Sequence, residues 1–396
     1  MVRPPRQDRP PPAAGLLLGR FFGVPVYLSP SWFVIAAIVT FSYTDEVGLL
    51  VPGIDRATAA MVGLGIAVLF AVSLLAHELG HVATCLGLGL RVRRVVIFLL
   101  GGVSEIEGEP RGPAEEYLVA VAGPLVTLLL AGVFTAGAMT APGHTIARAM
   151  LTILAVSNLI VAVFNLLPGL PLDGGQLLRS GVWRLTGSRL AGTRAAAWTG
   201  RALAVLIMVT GMFAVPAGNL VAATGSLLLA SLLAVFIWVG AGQALIAATI
   251  SDRLPQLRLA DLIRPSLQVP ADLPISEALR RAWQARAQGL IVVDGTGRPT
   301  AVVSEARVMA VPEQRRPWTS VAEVSHHLRD ELVIPHTLSG PELFERMRAS
   351  QAMEYVVTDP AGQAIGVVTA NDLARLMQQW RAAGGGPRHD TTGAPR

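Results

Sequence analysis

Between Arg56 and Arg91 lie 34 residues that carry no arginine and, apart from Glu78, no carboxylate. About 20 apolar residues let a helix cross the hydrocarbon of a bilayer, so this stretch dictates a membrane helix and constrains the rest of the fold around it. Taken as 57–90, it is the second of six apolar stretches; the others run roughly over 26–43, 117–139, 150–167, 199–215 and 220–249. Pro216, Gly218 and Asn219 predict a tight turn between the last two. Hydrophobic residues make up 52% of the 396, without counting 40 glycines, which exceeds the usual share of a soluble domain. The excess is confined to residues 21–250, whereas 251–396 read as ordinary soluble protein. The reading is a polytopic α-helical membrane part of about six helices followed by a soluble α/β part.

Charge orients the membrane part. The chain has no lysine, and its arginines cluster at 91–94, at 179–201 and at both termini, beside the apolar stretches. Such clusters are topology signals, and they argue against a nucleic-acid partner. Arg3, Arg6, Arg9 and Arg20 precede the first span, Arg91, Arg93 and Arg94 follow the second, and Arg179, Arg184, Arg189, Arg194 and Arg201 lie between the fourth and fifth. Both termini are therefore expected in the cytoplasm of a cell whose plasma membrane holds the chain. Residues 1–20, rich in Pro and Arg and lacking a cleavage site, are expected to be a disordered cytoplasmic segment, and 382–396 a disordered tail. Cys85 is the single cysteine, which excludes an internal disulfide and a cysteine-rich metal site.

Two further segments carry pattern. Val95 to Gly102 is short, β-branched at its start and closed by Gly-Gly; it predicts a strand or short re-entrant β-hairpin whose unpaired edge could pair with an unwound substrate. A plain cytoplasmic connection fits the same residues equally well. In the soluble part, GLIVVDGTGRPTAVVSEARV (289–308) and EYVVTDPAGQAIGVVTANDL (354–373) are two copies of a strand–turn–strand–helix unit. They divide it into 251–315 and 316–381.

The chemistry concentrates in two places. His77-Glu78-Leu79-Gly80-His81 puts two imidazoles at i and i+4, on one face of a helix, where both can reach one ion. Zn²⁺ accepts imidazole nitrogen readily and, in catalytic sites, leaves a position open. Glu78, offset from the pair, can act as general base. Ionisable groups in an apolar span are costly and are functional by default. Asp173 is the candidate third ligand: Pro168 and Pro171 must break the fourth helix before it, and Gly174 and Gly175 permit close approach or positive φ. The plain alternative is an Asp capping a helix that begins near Gln176. Asn165 can donate to a developing oxyanion or hold substrate backbone, with Asn158 competing for that role; either could instead bond between helices.

His77-Glu78-x-x-His81 in a span, followed by Asn165-x-x-Pro168-x-x-Pro171-x-Asp173-Gly174, resembles the site-2 protease family (M50-type) of intramembrane zinc metalloproteases. Gly101-Gly102-Val103, Ala122-Gly123-Pro124 and Gly23-Val24-Pro25-Val26 extend the likeness, and 251–380 resembles the cystathionine-β-synthase (CBS) pair of a bacterial subgroup. The resemblance implies one Zn²⁺ per chain on His77, His81 and Asp173, Glu78 as base, Asn165 as helper, and a single-pass membrane substrate such as an anti-sigma factor. The chain departs from many members at Leu28-Ser29, where they have His, and at Thr127, where they have Asn. CBS pairs resemble nucleotide sensors that associate in twos. Thr369-Ala-Asn-Asp372 matches their ribose motif, so an adenine nucleotide is expected there, whereas Ser304-Glu-Ala-Arg307 lacks the acid. A pair serving only in dimer contact fits as well. The rival readings for the whole chain are an inactive membrane scaffold and a CBS-gated transporter.

Overall fold

The computed structural model describes residues 15–98, 101–108, 110–213, 220–350 and 352–383. The expected turn at 216–219, the expected tail beyond residue 383 and the first fourteen residues lie outside the described residues. The chain divides into two compact units, Met1–Leu245 and Ile246–Arg396.

The first unit opens on a hairpin, β1 (Leu16–Phe21) and β2 (Val24–Leu28), so the expected disordered segment ends earlier than residue 20. Its cause is local: Phe22 and Gly23 both take positive φ and turn the chain. Helix α1 (Ser31–Leu50) follows, then α2 (Arg56–Gly87). Asp55 starts α2 by accepting from the backbone N–H groups of Ala57 and Thr58 at 3.1 and 3.0 Å, which satisfies two otherwise orphaned donors. Strands β3 (Arg91–Phe98) and β4 (Gly101–Glu107) form the expected hairpin. It is part of a larger sheet than the sequence suggested, ordered β1-β2-β3-β4, in which β2 runs parallel to β3 with Val26 opposite Val95. Val24, Val26, Leu28, Val82, Val95 and Ile97 pack the sheet onto α2.

Helices α3 (Pro113–Thr140) and α4 (Ile146–Asn165) come next, and α4 stops at the residue from which Pro168 and Pro171 forbid continuation. Helix α5 (Asp173–Thr186) is short and starts at Asp173, not near Gln176; it ends at Gly187, which takes φ 71°. Helix α6 (Arg189–Phe213) begins ten residues before the fifth apolar stretch expected from sequence, and α7 (Leu220–Arg253) runs through the end of the first unit at Leu245. Arg194 and Arg201 are therefore helical. Arg201 lies over the rings of Trp198 and Trp238, 5.0 and 5.3 Å from their centroids, a cation–π arrangement that suits a charge among apolar helices.

Among the described residues, α1, α2, α3, α4, α6 and α7 are long and apolar enough to cross a membrane. Their outward residues, among them Phe41, Leu129, Val133, Ile160 and Leu228, are exposed large hydrophobics. Such a continuous apolar surface is incompatible with water and suits lipid. The chain is a multi-pass membrane protein.

The second unit holds the two repeats. β5 (Ser266–Pro270), α8 (Ile275–Gln284), β6 (Gly289–Val293), β7 (Pro299–Val303) and α9 (Glu305–Ala310) form the first; β8 (Ser325–His327) completes its sheet, ordered β5-β6-β7-β8. β9 (Val333–Pro335), α10 (Gly340–Ser350), β10 (Glu354–Thr358), β11 (Ala364–Thr369) and α11 (Ala370–Ala383) form the second. Ile291 and Val302 of one sheet and Val356 and Val367 of the other share a buried cluster. Val356 and Val367 stand 65 residues after Ile291 and Val302, at the equivalent positions of the second repeat. Packing crosses the 315/316 division, since Leu257, Leu259 and Leu262 join the core of the second repeat.

Candidate metal centre

Helix α2 carries His77, Glu78 and His81, all less than a tenth exposed. The residues after α4 fold back, and Gly174 and Gly175 press so closely on the backbone of residues 166–170 that a Cβ at either position would collide with it. These glycines are needed for close approach, not for positive φ. Asp173, at the first turn of α5, is thereby set facing the two rings.

The resulting triangle is tight. His77 Nε2 lies 3.2 Å from His81 Nε2, Asp173 Oδ2 lies 3.2 Å from His77 Nε2, and the third edge is 3.4 Å. Ligand atoms about 2.0–2.2 Å from a tetrahedral Zn²⁺ stand about 3.3–3.6 Å apart. Three donors of the right chemistry thus sit at the spacing of one tetrahedral face, and the residues fit the metal. Gly123 of α3 makes the room: a Cβ there would overlap His81 Nε2 and come within 2.6 Å of His77 Nε2.

The hydrogen bonds around the triangle fix the tautomers. Val119 O, which can only accept, is 2.7 Å from His81 Nδ1, so that nitrogen carries the proton. Thr127 Oγ1 donates to Gly123 O at 3.1 Å and so accepts from His77 Nδ1 at 2.7 Å. Both Nε2 lone pairs are left for a metal, the arrangement that outer-shell partners impose on ligating histidines. Gln176 donates to Asp173 Oδ1 at 3.4 Å, leaving Oδ2 toward the rings. Thr127, Gly123, Val119 and Gln176 were not recognised as supports in the sequence. They are neutral, and only their helical spacing from one another (119, 123, 127) could have marked a face.

Glu78 faces the sheet. A Cβ on Gly102 of β4 would come within 2.6 Å of Glu78 Oε1, so the carboxylate occupies the space that a side chain at 102 would fill. Strand β4 is the edge of its sheet. Asn165 is the last residue of α4, half-buried, and its amide makes no hydrogen bond among the described residues. Asn158 is fully buried and donates to Ser73 Oγ at 3.3 Å and Leu154 O at 2.8 Å; it bonds α4 to α2 one turn before His77.

In the second unit, Thr369 and Asp372 bond to each other at 2.7 Å, and Asp372 Oδ1 also receives Arg264 and Arg375, each at 2.7 Å. Burial raises the Asp372 carboxyl, but the hydrogen bonds from Arg264 and Thr369 outweigh it and hold the group below its ordinary range. A cavity of about 540 Å³ opens at the equivalent motif of the first repeat, lined by Ser304, Arg307, His326, His327, Arg329 and Glu354 among others.

Six apolar helices among the described residues, with a buried His–His–Asp cluster whose donors could hold one metal ion and a glutamate on the same helix as the two histidines, define a polytopic membrane protein with a candidate metal centre. The model of peptidase family M50 matches residues 65–152 and 140–210, which include all four of these side chains. Rip3 of Mycobacterium tuberculosis is 30% identical over 95% of this chain and 96% of its own length. The protein sll0528 of Synechocystis is 28% identical over 91% of this chain and 95% of its own. Both are named, provisionally, as zinc metalloproteases. The site-2 protease from Methanocaldococcus jannaschii, a solved structure, is 23% identical with a TM-score of 0.41, covering 58% of this chain and 94% of that one. The chain belongs to peptidase family M50, the site-2 proteases.

Proposed function

We propose that the chain is a zinc-dependent endopeptidase that hydrolyses a peptide bond in or near the transmembrane segment of a single-pass membrane protein. The observation that carries this is the His77–His81–Asp173 triangle, with edges of 3.2–3.4 Å, beside Glu78 in an apolar bundle. His77, His81 and Asp173 would hold one Zn²⁺, which when bound acidifies water and polarises a carbonyl. Glu78 accepts the proton of the attacking water at its carboxylate and returns it to the leaving amine nitrogen, as general base and then general acid. The amide of Asn165, with no bond to another described residue, is available to donate to the carbonyl oxygen of the bond being cut. The edge of β4, which among the described residues pairs only with β3 and lies on Glu78, supports strand-wise binding of an unwound substrate segment. The arginine distribution supports cytoplasmic termini in the plasma membrane. An anti-sigma factor is a fitting substrate by the resemblance.

The test is co-expression with tagged single-pass membrane proteins, wild type against Glu78→Gln. The variant should retain zinc while its cleavage falls by about two to four orders of magnitude. Equal product from both would remove Glu78 from the mechanism.

The CBS pair is proposed to regulate this activity by binding a nucleotide. The cavity at Ser304–Arg307, which offers Arg307 and Arg329 beside Glu331 and Glu354, supports that side, because a ligand at Thr369–Asp372 must first displace Arg264 from Asp372. Calorimetry of the full chain with AMP, ATP and inorganic phosphate distinguishes the two. Loss of binding in Arg307→Ala but not Asp372→Asn assigns the cavity, the reverse assigns the ribose motif, and no heat with any of the three leaves the pair as a dimer contact.

A further inference from the structure

Glu116 is the one buried carboxylate of the first unit, among the described residues, that the proposed chemistry does not use. Its residue is 1% exposed. Each of its oxygens meets a different guanidinium: Arg179 Nε lies 2.5 Å from Oε1 and Arg189 Nε 3.4 Å from Oε2. The sequence offered no reason to single it out, and the two arginines read as topology signals.

Its position connects it to the metal centre. Glu116 lies in the first turn of α3. Val119, Gly123 and Thr127 follow it at i+3, i+7 and i+11, on the same face of that helix. They are the residues that hold His81, make room for both rings and hold His77. Arg179 lies on α5, six residues after Asp173. Helices are stiff over this length, so the ion pair fastens the element that presents the carboxylate to the element that holds the two imidazoles. Arg189, at the start of α6, adds a third element.

A buried ion pair is a poor device for stability alone, because its desolvation cancels most of its attraction, and apolar side chains of similar volume often do as well. It does fix relative position, since moving Arg179 breaks the shortest contact of a buried carboxylate and leaves it only the longer one to Arg189. Metal ligands need placement to within about half an ångström.

We infer that Glu116 and Arg179 are positioning residues that set the distance of Asp173 from the two histidines, and hence the affinity for the metal. This rests on the zinc reading above. The experiment measures zinc affinity of the detergent-purified full chain by competition with a chromophoric chelator. In parallel it measures the thermal midpoint with and without zinc. Glu116→Gln and Arg179→Ala should each lower zinc affinity about tenfold or more, in the range typical of outer-shell changes. The double variant should be no worse than the more severe single one, and the rise in midpoint caused by zinc should shrink in all three. Arg179→Lys keeps the charge balance and should lose less than Arg179→Ala; it provides the reading if Glu116→Gln does not fold. Zinc affinities within twofold of wild type in the folded variants, even with lowered zinc-free midpoints, would overturn the inference and leave a structural pair. A wild type without zinc affinity would instead overturn the zinc reading itself.

Discussion

At the scale of single residues, the centre depends on groups too small to announce themselves. Gly123 leaves the space that both Nε2 atoms fill, so Gly123→Ala should abolish stoichiometric zinc in the purified protein while the chain still inserts in the membrane. Thr127→Val keeps the shape but removes the acceptor for His77 Nδ1; zinc affinity should fall about tenfold to a hundredfold, measured by chelator competition. Gly102→Ala intrudes on Glu78 and not on the triangle, so it should retain zinc and lose cleavage. The ionisable members of the candidate site, His77, Glu78, His81 and Asp173, were legible in the sequence because such groups stand out in apolar stretches. Thr127 entered that reading only as a departure from the usual Asn, and its contact to His77 depends on how α3 is rotated against α2, which spacing alone does not give. Asn158 likewise needed the structure: its bond to Ser73 makes it a link between helices.

At the scale of elements, α6 and α7 reach the site by backing the turn before Asp173. A Cβ on Gly240 would come within 2.6 Å of Pro171, and one on Gly200 would collide with Leu170. Gly200→Val should therefore lower zinc content without preventing membrane insertion, read by metal analysis of the membrane-purified chain. Helix α6 extends ten residues ahead of the expected apolar stretch because Arg189 and Arg194 lower the hydropathy of its first turns without interrupting the helix. The ion pair of Arg189 with Glu116 and the contact of Arg201 with Trp238 of α7 are tertiary, whereas Trp198 lies one turn before Arg201 on the same helix. Strand β1 was missed for a similar reason: its pairing with β2 is a contact between segments, and the Pro- and Arg-rich residues before it suggested disorder. In the second unit, Arg264 ties the start of the first repeat to α11 through Asp372. A carboxyl held below its ordinary value of 3.8 contributes stability that is fully present above that pH and is lost as pH falls through the lowered value. Acid titration of the thermal midpoint should show this loss below pH 3.8 in wild type and a weaker one in Asp372→Asn.

At the scale of the whole molecule, membrane helices, a buried donor set and a repeated α/β unit were all readable from pattern, because apolar length, i and i+4 spacing and self-similarity are properties of the chain itself. The meeting of Asp173 with His77 and His81 was expected from the prolines and glycines around Asp173, but pattern alone does not give its distances, and these are what fit the three donors to a single metal ion. The account rests on two imidazoles from α2 and one carboxylate from α5 meeting at a single ion. Zinc-edge X-ray absorption, with metal stoichiometry, on the purified chain measures that most directly. One zinc per chain is expected, bound only by nitrogen and oxygen at about 2.0–2.2 Å with two imidazoles in the scattering, and absent from His77→Ala and Asp173→Ala. A sulfur neighbour, or full zinc occupancy in both variants, would contradict it.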